Sequence, residues 1–329
     1  MTPKVFFLVT IDTECDKGAK WHIKYPISFN NIYEGVPRIL SPLFDEYNVK
    51  PTYLLSPEIL YDDKSMQILL KEKNVELGTH LHAEFIAPET IERPTSTFLT
   101  QVELEKEVET QKLYNLTELF REKTGSAPYS FRAGRYGMSE STLEILESLG
   151  YLVDSSVMPY RKYTFSNNKY VDYWNAYLQP YYPAKENALK KGKMSILEVP
   201  LTSVTPIVYK YPPALLKFLN PNNSAIKNKI LTRLSLKDNT HYYLTPYKQP
   251  LSDLKRLSDF VVNKFRNSKV VILNMMFHSN EIYPNASPYT QTWEDVNAYR
   301  NSMGEYFQYL KETYNAESIG LSDVKRVFI

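Results

Sequence analysis

At 329 residues the chain is long enough for one large domain or two small ones, and its hydrophobic content of 43% and charged content of 23% are those of a soluble globular protein. Against 37 acidic side chains stand 39 basic ones, a formal charge of +2, with no dense basic run and no recognition motif for nucleic acid. One cysteine, Cys15, excludes an intrachain disulfide; no apolar segment approaches the roughly 20 residues of a membrane span, and the N-terminal apolar run lacks a cleavage site, which together favour the cytoplasm.

Strand-like and helix-like segments alternate along the chain. Val5–Ile11 is an apolar run without alternation, as in a strand covered on both faces. Val36–Tyr47 has helical spacing through Ile39, Leu40, Leu43 and Phe44, and Pro51–Leu55 reads as a second strand. A short helix over Ser65–Lys73 leads into the strand Val75–His82. Thr100–Lys123 is a long amphipathic helix, followed by a strand over Tyr129–Arg132. A helix over Ser139–Leu149, with Ser139 as N-cap and Gly150 as the stop, precedes a strand over Tyr151–Asp154. Pro159–Lys193, rich in Tyr, Asn, Lys and Pro, reads as an excursion. Ser195–Pro200 returns as a strand, Pro212–Leu234 is a helical insertion, and Ser252–Arg266 is a helix. Val270–Met276, a final long helix over Trp293–Tyr314 and a last strand over Glu317–Leu321 complete the chain.

This βαβα order implies a parallel sheet with helices outside. The fold class is α/β: a distorted, incomplete (β/α) barrel of about seven parallel strands with a helical insertion, a flat doubly wound sheet being the alternative. No linker or repeat divides the chain, so a single domain over 1–329 is expected, with insertions at about 159–193 and 209–247.

In either architecture functional groups gather at the C-terminal strand ends. Those ends carry Thr10-Ile11-Asp12-Thr13-Glu14, His80-Leu81-His82-Ala83-Glu84, Phe131-Arg132-Ala133-Gly134-Arg135-Tyr136-Gly137, Asp154-Ser155-Ser156, Glu198-Val199-Pro200 and Phe277-His278-Ser279-Asn280-Glu281. Two of the five histidines stand two residues apart, and period-2 geometry puts His80, His82 and Glu84 on one side, a donor set for a metal such as zinc. A surface or core role for such histidines, and a plain buried ion pair for Asp12 with Arg132, are the bland alternatives. The 27 tyrosines, 15 phenylalanines and three tryptophans reflect composition bias or a cleft whose aromatic faces stack on sugars. Tyr136, Asp172, Trp174 and Glu281 are candidates for the substrate wall, with Tyr181, Tyr182 and Tyr289 beside them.

The order Thr-x-Asp, Glu-Leu-Gly-x-His, Phe-Arg-x-Gly, Asp-Ser-Ser and an apolar strand into His-Ser resembles the polysaccharide deacetylases, the NodB-homology superfamily, from about Val5 to Tyr289. The resemblance implies that a metal-bound water, usually on zinc, attacks the carbonyl carbon of an N-acetyl group on a sugar. Carried over by position, Asp12 is the general base, Arg132 its orienting partner and His278 the acid that protonates the leaving amine, while His80 is the first metal histidine. Two positions depart from the pattern. The expected second aspartate of the first motif is Thr13, leaving Glu14 as substitute, and the position four residues after His80 is Glu84, with His82 between. The metal set is therefore Glu14 and His80 with either His82 or Glu84, His82 being favoured because imidazole suits zinc. The cofactor implied is Zn or another divalent metal. The partner implied is an N-acetylated sugar, oligosaccharide or glycan precursor. The rivals are a metal-independent amidase or cyclic-amide hydrolase of the same superfamily, and a non-catalytic carbohydrate-binding protein. His22 could line the cleft or the surface, and His241 is not expected to be catalytic.

Overall fold

The computed structural model describes residues 2–94, 99–205, 242–247 and 249–328. The predicted insertion Pro212–Leu234 and His241 lie outside them. The main sheet contains β1 (Lys4–Thr13), β2 (Pro51–Leu55), β3 (Glu76–Leu81), β4 (Ser130–Ala133), β5 (Val153–Asp154), β6 (Leu197–Glu198), β7 (Val270–His278) and β8 (Glu317–Ser318). The spatial order is β6-β5-β4-β3-β2-β1-β7, with β8 beside the start of β1, and every pairing is parallel. Seven parallel strands thus form a curled half-barrel with helices packed outside, as the βαβα pattern predicts.

The gap between β6 and β7 is bridged by side-chain amides. Asn274 on β7 donates through Nδ2 to the carbonyls of Val199 (3.2 Å) and Pro200 (3.3 Å), and its backbone N–H donates to Thr202 Oγ1 at 2.8 Å. Lower down, the Gln179 amide donates to the Ile272 carbonyl (2.9 Å) and accepts from the Ile272 N–H (2.8 Å). These contacts satisfy an edge that would otherwise carry unpaired backbone groups.

β1 is buried along almost its whole length, but its two faces differ. Phe7, Val9 and Ile11 pack into the large core under the helices. Phe6 and Leu8 face inward with Leu54, Val153, Leu197 and Ile272, and Ile319, Leu321 and Val324 join them. The inward positions then change character two residues at a time: Thr10 binds Asn274 and Arg132, and Asp12 follows. The barrel interior is therefore apolar below and ionic above, a consequence of strand periodicity applied to one alternating sequence.

The helices follow the predicted spacing with local changes. Trp293–Tyr314 is capped by Thr292, whose hydroxyl accepts from the Asp295 N–H while the Asp295 carboxylate accepts from the Thr292 N–H. The helix expected over Val36–Tyr47 begins earlier, as a wide-turned π segment over Asn31–Leu40 that runs into an α-helix over Ser41–Tyr47. Pro37 lies inside it and has no N–H to continue an α ladder. The Thr100–Lys123 prediction splits: a 3₁₀ turn over Gln101–Glu103 ends at extended Leu104 and Glu105, and the helix proper is Lys106–Thr124. Helix Thr142–Ser148 starts where Ser139 Oγ accepts from the N–H groups of Ser141 and Thr142. The excursion is not irregular throughout. It forms two antiparallel pairs, Lys162–Thr164 with Tyr170–Asp172 and Pro183–Ala184 with Asn187–Lys191. Among the described residues no helix is long and apolar enough to cross a membrane.

Candidate active site

Parallel register assembles the site. Asp12 is the β1 partner of His278 on β7, and His80 on β3 is the partner of Arg132 on β4. The inward-facing tips of four strands therefore meet above the apolar plug, around a cavity of about 350 Å³. Asp12, Glu14, His80, His82 and His278 all line it.

Arg132 is fully buried beneath the cavity and makes four hydrogen bonds. It donates to Asp12 Oδ1 at 2.6 Å, Thr10 Oγ1 at 2.7 Å, the Ser155 carbonyl at 2.9 Å and Ser155 Oγ at 3.0 Å. Burial pushes the Asp12 carboxyl up, but the Arg132 guanidinium, with His80 and His278, outweighs it and holds Asp12 below the usual carboxylate range. A buried carboxylate kept ionised in this way can accept a proton.

Glu14, His80 and His82 form a buried donor cluster. His80 Nε2 lies 3.2 Å from Glu14 Oε1, His82 Nε2 lies 2.9 Å from the same oxygen, and the two Nε2 atoms are 3.0 Å apart. Tetrahedral zinc with bonds of about 2.0–2.1 Å separates its ligand atoms by about 3.3 Å, so this triangle needs to open only slightly to take such an ion. His80 Nδ1 donates to the Arg132 carbonyl at 3.0 Å, which leaves its Nε2 lone pair aimed at the cluster. The donor set fits a divalent metal. Burial lowers the His82 pKa, yet Glu14 overrides it and lifts the imidazole to about 9. Glu14 is held well below its ordinary value: burial opposes ionisation, but the Lys17 ammonium on Oε2 and the two imidazoles prevail.

Glu84 stands apart from the triangle. The strand ends at Leu81, His82 is still extended, and Ala83–Phe85 turns into a 3₁₀ segment, so the period-2 face does not reach Glu84. Its Oε1 instead lies 3.4 Å from His82 Nδ1 and 3.2 Å from Arg135. Burial raises the Glu84 pKa, and His82 and Arg135 more than reverse this, to about 2.

His278 faces the cavity from the other side. Glu281 Oε1 accepts from both the backbone N–H and the Nδ1–H of His278 at 2.9 Å, and Glu281 Oε2 accepts from the Tyr299 hydroxyl at 2.6 Å. Nε2 is left for the cavity. Burial depresses the imidazole pKa, and Glu281, Glu14 and Asp12 together raise it above the ordinary value. Trp21 packs edge-on against the ring at 4.9 Å and against Tyr289 at 5.2 Å.

Of the substrate-wall residues read from sequence, Tyr136 and Tyr289 line the cavity. Asp172 lines a separate cavity with Ser139 and Glu186, and Trp174 is buried against Tyr160. Glu281 is buried behind His278, where it orients the ring rather than meeting solvent. Tyr181 is buried and donates to the Ala188 carbonyl. The cavity is also lined by Arg135, which the sequence reading placed in a strand-end run without a role, and by Lys17, Arg161 and Tyr163, which it passed over. The Glu14/Lys17 spacing was a visible local signal; the arginines arrive from loops whose paths no spacing reveals.

Among solved structures, a protein assigned as a polysaccharide deacetylase from Mycobacterium smegmatis aligns over 99% of this chain and 91% of its own at a TM-score of 0.56 and 14% identity. A protein assigned as a glycoside hydrolase/deacetylase from Parabacteroides distasonis aligns over 99% and 71% at 0.64 and 11%. The chain shares the fold of these two proteins. An allantoinase shares that fold, over 98% of this chain and 89% of its own, at a TM-score of 0.51 and 11% identity. No family model matches the sequence, and no curated protein does.

Proposed function

We propose that this chain is a metal-dependent amide hydrolase, a carbohydrate N-deacetylase acting on an N-acetylated sugar or glycan precursor. The observation that carries the reading is the meeting, in one cavity, of an arginine-bound carboxylate, a buried Glu/His/His donor cluster and a carboxylate-oriented histidine. Glu14, His80 and His82 would hold the metal, with Glu84 and the Arg132 carbonyl orienting the two imidazoles from behind. Zinc or another divalent ion there would polarise the acetyl oxygen and make water a better nucleophile. Asp12, fixed by Arg132, takes a proton from the attacking water as it adds to the acetyl carbon. His278 Nε2–H delivers a proton to the sugar nitrogen as the C–N bond breaks, giving acetate and a free amine. Trp21, Tyr136 and Tyr289 supply faces for the sugar ring. The unpaired, buried thiol of Cys15 suits the reducing cytoplasm, where the substrate would be a nucleotide-, lipid- or oligosaccharide-linked precursor.

The test is acetate release from a panel of N-acetylhexosamine donors, with and without added zinc. Asp12→Asn and His278→Ala should each lower turnover by about 10²–10⁴-fold. No release by the zinc-loaded protein across the panel rejects the reading. One observation favours a metal-independent amidase instead: the Lys17 ammonium already faces Glu14 and supplies positive charge at the cluster. Metal analysis alongside turnover separates the two, since an amidase of that kind keeps full activity after chelation.

A further inference from the structure

Among the described residues, the carboxylates that line or border the cavity are each matched with a lysine or arginine, and one cation is left over. Asp12 faces Arg132, Glu14 faces Lys17 and Glu84 faces Arg135. Arg161, on the loop after β5, also lines the cavity. It has no carboxylate partner among the described residues, and its Nε is buried without a hydrogen bond. Its guanidinium lies 5.6 Å from the centre of the Tyr163 ring, which stacks on Tyr136 at 5.3 Å, and it also hydrogen-bonds the Tyr163 hydroxyl oxygen, so Nε alone is left without a partner. Both of those tyrosines spend their hydroxyls on thioether sulfur: Tyr163 donates to Met158 at 3.0 Å and Tyr136 to Met276 at 3.3 Å. Sulfur is a weak acceptor, so a substrate oxygen would replace it with gain.

A partly buried cation with an unused donor, beside two hydroxyls on poor acceptors, is costly unless something anionic arrives. We infer that the cavity selects a substrate carrying an oxyanion, a carboxylate or a phosphate on the sugar, and that Arg161 is its receptor with Tyr163 and Tyr136 completing the contact. This deepens the deacetylase reading and rests on it for the site of reaction, though anion capture itself requires no turnover. A neutral sugar would leave the guanidinium uncompensated. A divalent ion at the Glu14 cluster would strengthen the preference by adding positive field to the same cavity.

The probes are N-acetylglucosamine, its 1-phosphate and N-acetylglucosaminuronate, titrated calorimetrically into the full chain. Each charged sugar, or the one whose oxyanion fits, should bind at least about ten-fold more tightly than the neutral sugar, as one charge-assisted contact provides. That margin should shrink with added salt, vanish in Arg161→Met and survive in part in Arg161→Lys. Comparison of the two charged sugars identifies the oxyanion. Equal binding of neutral and charged sugars to the wild type overturns the inference, as does a margin that persists in Arg161→Met. If Arg161→Met fails to fold, the wild-type comparison and Arg161→Lys still decide. Acetate release from neutral sugars without any binding margin sinks this inference alone. Arg161-dependent binding with no acetate from any sugar sinks the deacetylase reading and leaves the anion receptor standing.

Discussion

Replacing Glu281 with glutamine tests the proton donor directly. Glu281 Oε1 accepts from the Nδ1–H of His278 at 2.9 Å, and the carboxylate is a main reason the imidazole pKa lies above its ordinary value. Glutamine keeps the shape: its oxygen can accept from Nδ1–H and from the backbone N–H, while its amide faces the Tyr299 hydroxyl, which can accept. Only the charge is lost. A charge-assisted hydrogen bond contributes about 1.5–3 kcal/mol and a neutral one about 0.5–1.5, a mid-range difference of about 1.25 kcal/mol, or about one pKa unit. A general acid must be protonated, so activity falls as pH rises through its pKa. The alkaline limb of kcat/KM for acetate release should therefore move down by about one pH unit, while the acid limb set by Asp12 stays. Stability gives a second readout. A folded-state pKa raised by a partner stabilises the fold fully below the unfolded value, about 6.5, and this is lost as pH rises through the folded value. The gap in unfolding free energy between wild type and Glu281→Gln should then be wider at pH 6 than at pH 10. An alkaline limb that does not move would show that His278, as held by Glu281, is not the donor.

Zinc stoichiometry measured after dialysis should collapse in Glu14→Gln, His80→Ala and His82→Ala, whereas Glu84→Gln should bind only about 10–100-fold more weakly, as loss of a partner behind a ligand does; the reverse ranking of His82 and Glu84 would redraw the donor set. Arg132→Met strands the Asp12 charge in the interior and should cost about 3–5 kcal/mol in urea unfolding, with Asp12→Asn in the same chain restoring part of it. Gly78→Ala places a Cβ 2.6 Å from the Ser130 carbonyl oxygen and 2.8 Å from Leu54 Cδ2, so the urea midpoint should fall by the equivalent of about 1–3 kcal/mol; an unchanged midpoint would mean that the barrel wall yields there.

What the sequence revealed, and what it hid, follows one physical division. Residues placed by strand periodicity were legible. Phe6, Leu8, Thr10 and Asp12 form one inward row, and Ile272, Asn274 and His278 lie on the strand that pairs with it, so the alternation that puts apolar groups below puts ionisable ones at the mouth. His80 and His82 obey the same rule because the backbone stays extended through both. Glu84 looked equivalent only while that rule was extended past the end of the strand. A helical turn at Ala83–Phe85 swings it behind His82, and no residue in the motif announces the turn. Helices were legible by spacing but not at their ends, where Pro37 and the Thr100/Glu103 box alter the hydrogen-bond pattern.

Loop residues follow no period, and that is where the reading missed Lys17 and Arg161 and gave Arg135 no role. The consequence is mechanistic. Groups proposed to make and break bonds come from strand tips, whose mutual positions are fixed by the parallel register and by the Arg132, Thr10, Ser155 and Asn274 network inside the barrel. That network also spans the β6–β7 gap, so the Arg132 that keeps Asp12 ionised is part of what holds the half-barrel together. Groups proposed to choose the substrate come from loops, which can vary without disturbing that frame. Arg161→Met should accordingly shift substrate preference at nearly unchanged thermal stability, and Arg132→Met should lower stability and activity together. If both variants lost stability equally, the division between a fixed catalytic frame and adjustable walls would be wrong for this chain.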